Sequence, residues 1–346
     1  MYTPLHLHTA VGSLLDSMVN IPDLMTRLKD LNFESCSITD HGNMMGVIEF
    51  YQNCIKNNIK PIIGMEAYYT PDCSVKDKTS KYDHLVLLAK NNEGYKDLKK
   101  LASESQLLEN FYSKPRVDNK MLEKYGKNII ASSACLGGTI PRMIMNGEPV
   151  ALMIEKINMF KGFFNEFYLE LQPSTDESQI EVNKQLLNLS KMTKTEVIVT
   201  TDVHRIFEDQ MEAHQAFISI VGEGIRSNEF YVDTWLKTEQ EIIDNLSKYI
   251  PLKTITKMFE TTNAIASKCN VTIELGNAYC PKVKSNGDMN EDELFREYIN
   301  EGLQEKDIWN YPNCDEYIKR VKYEYKVIKD KSFQGYFIIM REYIRR

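Results

Sequence analysis

The chain has 346 residues, of which 42% are hydrophobic and 26% charged, and a net charge of −7. It can build a sizeable core, and its length suits one large domain plus an extension or two ordinary domains. The acidic balance argues against gripping duplex DNA by charge alone. A nucleotide or single strand held at metal ions stays open, because such ions bring their own charge. Seven cysteines, none in a CxxC pair, fit a reducing compartment rather than a disulfide scaffold. The N-terminus has no basic segment followed by a long apolar run, and no apolar run reaches the length of a membrane span. An intracellular, cytoplasmic protein is expected.

In residues 4–8, Leu5 and Leu7 alternate with His6 and His8. This period of two predicts a strand with both imidazoles on one face, where they can share a metal ion. A loop covers 13–20, and IPDLMTRLKDL reads as a helix with Pro22 near its start. Cys36–Thr39 is the second strand and runs into the turn signal Asp40, His41 and Gly42. A helix follows over about Met44–Lys56. The third strand is Pro61–Tyr69, then a polar loop to Lys81, then a fourth strand, His84–Ala89, with Asn92 as the cap of the next helix. Asn128–Ser132 is the fifth strand, followed by Cys135, Gly137 and Gly138. GEPVALMIEKINMFKG reads as a helix ending at Gly162. Glu166–Gln172 is the sixth strand, ESQIEVNKQLLNLSKMT a helix, and Val197–Thr201 the seventh strand, leading into Asp202 and His204.

Seven strand–helix cycles of nearly all-apolar strands predict an α/β fold with helix-covered parallel strands. A closed or distorted barrel fits better than a dinucleotide-binding sheet, because no GxGxxG follows the first strand. In a parallel barrel, function collects in the loops after the strands. Beyond Thr201 the pattern turns helical over His204–Glu223 and Glu239–Asn270, with a short mixed stretch at 230–237 and VTIEL as a short strand. The polar stretch 277–290 reads as a domain edge. Two charged helical stretches follow, and the apolar GYFIIMREYIRR reads as the opening of a further element.

Nine residues stand out: His6, His8, Asp16, His41, Glu66, His84, Cys135, Asp202 and His204. Imidazole, carboxylate and thiolate are the main ligands of zinc, manganese and iron. Nine donors are too many for one ion and suit two or three, joined by a bridging carboxylate. Neighbouring ions activate water and stabilise an in-line phosphoryl displacement, which makes phosphoester hydrolysis the natural chemistry. Glu66 is the strongest anomaly, a glutamate inside an apolar strand. Each has a plainer reading as well: Cys135 as a buried apolar thiol, Asp16 as a helix cap. Asp40 is a better partner for a histidine than a ligand, and is expected to fix the tautomer of His41. Arg205, beside His204, is expected to contact a phosphate at the metal mouth. Tyr112, Lys114 and Arg116 could hold a base and a phosphate or form a solvated loop. Glu170 is assigned a helix or loop partner, and His214 a structural place.

The motifs LHLHT, SLLD, TDHG, GMEAY, HLVLLAKN, FYSKPR, SACLGG, YLELQ and VTTDVH resemble the N-terminal polymerase-and-histidinol-phosphatase (PHP) domain of the bacterial replicative DNA polymerase III alpha subunit. MEAHQAF, IASKCNVTIELG, LFREYINEGL and GYFIIMREYI continue the resemblance in order, so it covers nearly the whole chain. It implies a distorted seven-stranded (β/α)7 barrel with a trinuclear metal site and a mainly helical C-terminal extension. By resemblance, His6, His8, Glu66 and Asp202 surround one ion. Glu66, His84 and Cys135 surround a second, with Glu66 bridging. Asp16, His41 and His204 hold a third. Ser17 and Arg205 stand where the family usually has glycine and tyrosine, and SACLGG replaces SGCLSG; none of these removes a ligand.

The resemblance implies residues 1–275 as the PHP barrel with its helical elaboration, and 276–346 as a linker and the start of the polymerase palm. Members with the full ligand set resemble a metal-dependent 3'-5' exonuclease that proofreads. The partners implied are a DNA 3' end, the downstream palm, thumb and fingers in cis or in trans, and other replisome subunits. The nucleotide-binding loop and the palm carboxylates would follow GYFIIMREYI, where this sequence stops, so it is not expected to polymerise DNA by itself. It would be a cut or a naturally split polymerase. The alternatives are a catalytically silent PHP domain supporting the polymerase core, since metal binding can be folding energy alone, and a free-standing phosphatase.

Overall fold

The computed structural model describes residues 2–77, 82–220, 232–277, 281–283 and 289–345. The chain divides into two compact units, Met1–Ile273 and Glu274–Arg346.

The first unit is a curled mixed sheet. Its strands are β1 (Ser35–Ile38), β2 (Lys60–Tyr69), β3 (Asp83–Ala89), β4 (Arg116–Val117), β5 (Ile129–Ser132), β6 (Glu166–Leu171) and β7 (Val197–Val199). They run in the order β1-β2-β3-β5-β6-β7, with β4 paired to β2 off this path. The N-terminal segment 4–8 closes the curl. On one side Ser37 N donates to Pro4 O at 2.9 Å and Thr39 N to Leu7 O at 2.8 Å. On the other, His8 N donates to Val203 O at 2.9 Å and Val203 N to His6 O at 3.1 Å. The expected first strand is therefore an extended stave pinned on both edges, with a single bridge, Leu7 to Val203, in strand geometry.

The sheet departs from an all-parallel barrel at β3, which runs antiparallel to both β2 and β5. A parallel return needs a crossover long enough for a helix, and the described residues between β2 and β3 contain none. The chain turns straight back instead.

Alternation along the strands separates two cores. Outward residues such as Met65, Leu87, Ala131, Leu169 and Val199 join the large cluster under the helices α1 (Ile21–Asp30), α2 (Val47–Lys56), α3 (Asn92–Ser105), α4 (Asn119–Tyr125), α5 (Thr139–Met145), α6 (Val150–Phe163) and α7 (Glu177–Thr193). Inward residues Ile62, Val86, Leu88, Ile130, Tyr168 and Ile198 form a smaller cluster with Ile265 and Ala266. These last two belong to α10 (Leu252–Lys268), which follows α8 (Met211–Ser219) and α9 (Glu239–Leu246). Lys60 Nζ donates to Ala266 O at 2.7 Å and Thr3 N to Thr262 Oγ1 at 3.0 Å, so α10 seals the barrel end where β2 begins. The opposite end stays free for the site.

Several local expectations change. Asn91, not Asn92, caps α3, accepting from Gly94 N. Gly162 lies inside α6, whose last turn closes through Phe164 N on Phe160 O. Residues 239–270 break into α9 and α10 at Pro251, which lacks the N–H a continuous helix needs. VTIEL is not a strand, because Thr272 N and Ile273 N donate to Asn92 Oδ1 and the Tyr51 hydroxyl rather than to a ladder. The helix expected over 204–223 is described only as α8, and 221–231 lie outside the described residues.

The second unit holds α11 (Glu291–Glu305), α12 (Cys314–Asp330) and α13 (Gln334–Arg345). Asn290 and Glu293 form a capping box at the start of α11. Phe295 and Ile338 are buried, and Asp292 accepts from Arg296, Tyr325 and Lys329. Among the described residues, no helix is long and apolar enough to cross a membrane.

Candidate metal centre

All nine donor side chains converge at the free end of the barrel. His6 and His8 come from the closing stave, Asp16 from the loop after it, and His41 from the turn after β1. Glu66 lies on the inner face of β2. Cys135 follows β5, and Asp202 and His204 follow β7. His84 opens its strand, yet it reaches the same end because β3 runs backwards. Leu15, Ala134 and Asp202 have φ between 45° and 61°, a left-handed backbone beside or at three of the donors. Such strain persists only where surrounding contacts hold it, and it concentrates at functional sites.

Glu66 is the hub. Its Oε1 lies 3.1 Å from His6 Nε2, 3.1 Å from His84 Nδ1 and 3.8 Å from Cys135 Sγ. Its Oε2 lies 2.6 Å from His41 Nδ1 and 3.7 Å from His8 Nε2. Asp202 Oδ1 is 3.2 Å from both His6 Nε2 and His8 Nε2. Asp16 Oδ2 is 2.6 Å from His41 Nε2 and 3.5 Å from His204 Nε2. Among the described residues, three groups of donor atoms are close enough to hold a cation: His6, His8 and Asp202; His41, Glu66 and His84; and His8, His41 and His204.

The donor set fits metal ions. His6 Nε2 and His8 Nε2 face each other at 3.0 Å. His41 Nδ1 and Glu66 Oε2 approach to 2.6 Å without the alignment of a hydrogen bond, as two ligands turned to a common point do. Burial works against charge on Glu66, but His84, His6 and His41 hold its carboxyl well below the usual carboxylate range. Burial also opposes the proton on His41, yet Glu66 and Asp16 lift it to about 10. Burial, with His41 and His204 nearby, pushes His8 down to about 3. Burial and the carboxylates of Glu66 and Asp202 push the Cys135 thiol well up, and a cation beside it would reverse that balance.

The cluster is open on one side. His6 and His8 are fully buried, whereas the side chains of Asp16 and His84 are 22% and 18% exposed. A closed site staples a fold, while an open one admits a substrate.

Two expected roles fall elsewhere. Asp40 does not bond His41. Its carboxylate accepts from Thr9 N at 2.6 Å, Thr9 Oγ1 at 2.8 Å and Ser13 Oγ at 2.9 Å. Through Ser13, whose Oγ lies 3.1 Å from His8 Nδ1, it supports His8 instead. Arg205 does not reach the metal mouth. It is buried against 232–235, donating to Thr234 Oγ1 and Val232 O, with its guanidinium over the Trp235 ring. Arg116 is also a structural residue, donating to the carbonyls of Cys73, Val75 and Asn110. Of that loop only Lys114 lies near the mouth, 5.3 Å from the Tyr68 ring, which in turn stacks on His41. His214 Nε2 donates to Asp16 O, at 2.6 Å, and so braces the Asp16 loop.

Residues 4–174 match the family described as PHP domain. The chain carries a PHP domain. Over 99% of its length it is homologous to proteins described as DNA polymerase III subunit alpha. The identity is 32% with that of Campylobacter jejuni, 35% with that of Borreliella burgdorferi and 32% with that of Aquifex aeolicus. This PHP-domain chain spans only 30–31% of the length of those relatives.

Sequence reading missed Glu170, which lies against His6 inside the PHP barrel. The signal was available: Glu170 shares the inward parity of Tyr168 on β6, and so sits in an apolar strand as Glu66 does.

Proposed function

We propose that this chain is the PHP portion of a replicative DNA polymerase III alpha subunit and hydrolyses the terminal phosphodiester at a DNA 3' end. The observation that carries this reading is the open cluster of nine donors around the bridging Glu66. His6, His8, Glu66 and Asp202 would hold one ion. Glu66, His84 and Cys135 would hold a second. Asp16, His41 and His204 would hold a third. Imidazole, carboxylate and a single thiolate suit zinc, manganese or iron. Bound ions would activate water at neutral pH and take up charge in an in-line displacement at phosphorus.

The protein side chains supply the rest. Asp16, His41 and His84 form the exposed rim that meets the scissile phosphate. Lys114 offers a cation to a neighbouring phosphate, and Tyr68 a ring face near a terminal base. The net charge of −7 gives weak DNA affinity, so cleavage is favoured at low salt. The second unit would open the palm of a longer polymerase and pair with its thumb and fingers, in the cytoplasm and within a replisome.

The test is a 5'-labelled single-stranded or 3'-recessed oligonucleotide incubated with manganese or zinc. Stepwise shortening by the parent, and none by the His6→Ala, His8→Ala double variant, is the expected result. No cleavage by a fully metallated parent would overturn the proposal in favour of a metal-stapled scaffold. Equal cleavage by both would also overturn it, since the activity would then not depend on this site.

A further inference from the structure

We infer that Glu170 is a positioning residue for the metal site: its carboxylate, bonded to His6 Nδ1, orients the ring, and its charge strengthens Nε2 as a donor to an ion. The inference rests on the metal-binding reading above, though not on the DNA reaction.

His6 Nε2 faces Glu66 Oε1 at 3.1 Å, Asp202 Oδ1 at 3.2 Å and His8 Nε2 at 3.0 Å. Those are the other donors of its cluster, so Nε2 is the nitrogen that must offer a lone pair. The proton of the neutral ring then belongs on Nδ1. Nδ1 lies 2.7 Å from Glu170 Oε1.

The carboxylate is itself immobilised. Oε1 also accepts from Thr200 Oγ1 at 2.6 Å and Gln172 Nε2 at 3.2 Å, while Oε2 accepts from Ser132 Oγ at 2.5 Å. These donors come from β5, β6 and the end of β7, three neighbouring strands of the barrel. Glu170 N accepts no slack either, donating to Ser133 Oγ at 2.9 Å. Glu170 is 1% exposed and His6 fully buried, so the contact excludes water.

A buried carboxylate is costly when its partners are neutral hydroxyls and an amide alone, which apolar residues could replace. Behind a histidine ligand the same charge has a use, because it raises the donor strength of the ring and fixes its orientation. The neighbouring His8 has a weaker version of this support. Its Nδ1 reaches a carboxylate only through Ser13, to Asp40. The two histidines of one stave are therefore oriented from opposite sides, one directly and one by relay.

Glu170→Gln separates this role from packing. The amide oxygen can replace Oε1, keeping the contacts of His6, Thr200 and Gln172. The amide nitrogen can replace Oε2 and donate to Ser132 Oγ. Shape survives, the Ser132 bond survives with its direction reversed, and the charge is lost. Ser132→Ala is the control, because it removes one contact of Glu170 and leaves His6 bonded.

The experiment uses the full chain, zinc alone and a competing chelator, with the visible spectrum of the cobalt(II)-loaded chain as a second readout. Glu170→Gln is expected to keep the melting temperature of the metal-free parent, to lower zinc affinity about 10- to 100-fold and to alter the cobalt spectrum. Ser132→Ala is expected to bind zinc within about threefold of the parent, since a second neutral contact is all it loses. Parental zinc affinity and an unchanged cobalt spectrum in Glu170→Gln would overturn the inference. So would an equal loss in both variants, which would reduce Glu170 to packing. No DNA enters the measurement, so a chain that binds zinc as described but leaves DNA intact would overturn the proposed function and keep this one.

Discussion

Glu66 Oε1 and His84 Nδ1 lie 3.1 Å apart across an antiparallel strand pair whose register sets Tyr68, not Glu66, opposite His84. They are diagonal neighbours on one face, a spacing that only long side chains cover. That diagonal brings Glu66 into reach of His84 and Cys135 while its other oxygen serves His41.

Glu66→Gln should therefore disrupt more than one ion. It preserves volume but removes the charge a bridge requires. Elemental analysis of the purified, untagged variant should show at least one ion fewer per chain than the parent. Equal metal content would contradict the bridging role.

Removing ions should destabilise the first unit, because buried carboxylates and imidazoles are then left to neutralise one another. Each site refilled to about a hundredfold over its dissociation constant adds roughly 2.7 kcal/mol. Chelation should lower the melting temperature by several degrees, and zinc or manganese should restore it. A melting curve indifferent to both would show that the cluster does not hold metal.

Arg205 and Lys114 should behave oppositely. Arg205→Ala removes buried bonds to Thr234 and Val232, and is expected to cost about 2–4 kcal/mol of stability with KM for an oligonucleotide unchanged. Lys114→Ala, at the rim, should leave stability within about 0.5 kcal/mol and raise KM severalfold. Chemical denaturation and steady-state cleavage together measure both. A KM change in Arg205→Ala without loss of stability would return that residue to the mouth.

Lys237 supplies a pH test. It is 2% exposed, donates to Asp233 O and packs on Trp235. Burial pushes its ammonium down to about 7, against the help of Asp233. Below pH 7 both folded and unfolded chains carry the proton, and the folded chain bears the full cost of the buried charge. Between pH 7 and about 10.4 the unfolded chain binds more protons, so this group's penalty fades as pH rises. Lys237→Met should therefore gain stability over the parent by a few kcal/mol below pH 7, and the gain should shrink steadily towards pH 10. A gain that does not vary with pH would rule out a depressed Lys237.

The sequence alone carried much of the site. His6, His8, His41, His84, Cys135, Asp202 and His204 stand at or beside strand ends and Glu66 stands inside an apolar strand, and residue type with that placement was enough to single them out. Apolar runs bounded by turn signals located the six staves after residues 4–8, because strand burial is a local pattern, but not the two-residue β4. The cap of α3 was read to within a residue, Asn92 for Asn91, since both side chains offer the same acceptor, whereas the end of α6 was set two residues early at Gly162.

What local pattern does not encode is direction and depth. Period two says which side chains share a face, but not whether the neighbouring strand runs up or down. So the place of His84, at the start of a strand, follows only from the antiparallel β3, which carries it to the site. Charge next to a ligand likewise does not say which way it points. Arg205 turns to Trp235, and Asp40 to Thr9 and Ser13, because hydrogen-bond partners from distant segments meet them there. Glu170 is the same case in reverse. Its burial against His6, Ser132 and Thr200 joins segments far apart in the chain, and only closure of the barrel by residues 4–8 makes that meeting. The sequence by itself determined the donors and the staves that carry them. Tertiary structure decided which donors meet at one end of the barrel and which carboxylate stands behind His6, because those are distances between strands, set by register and closure.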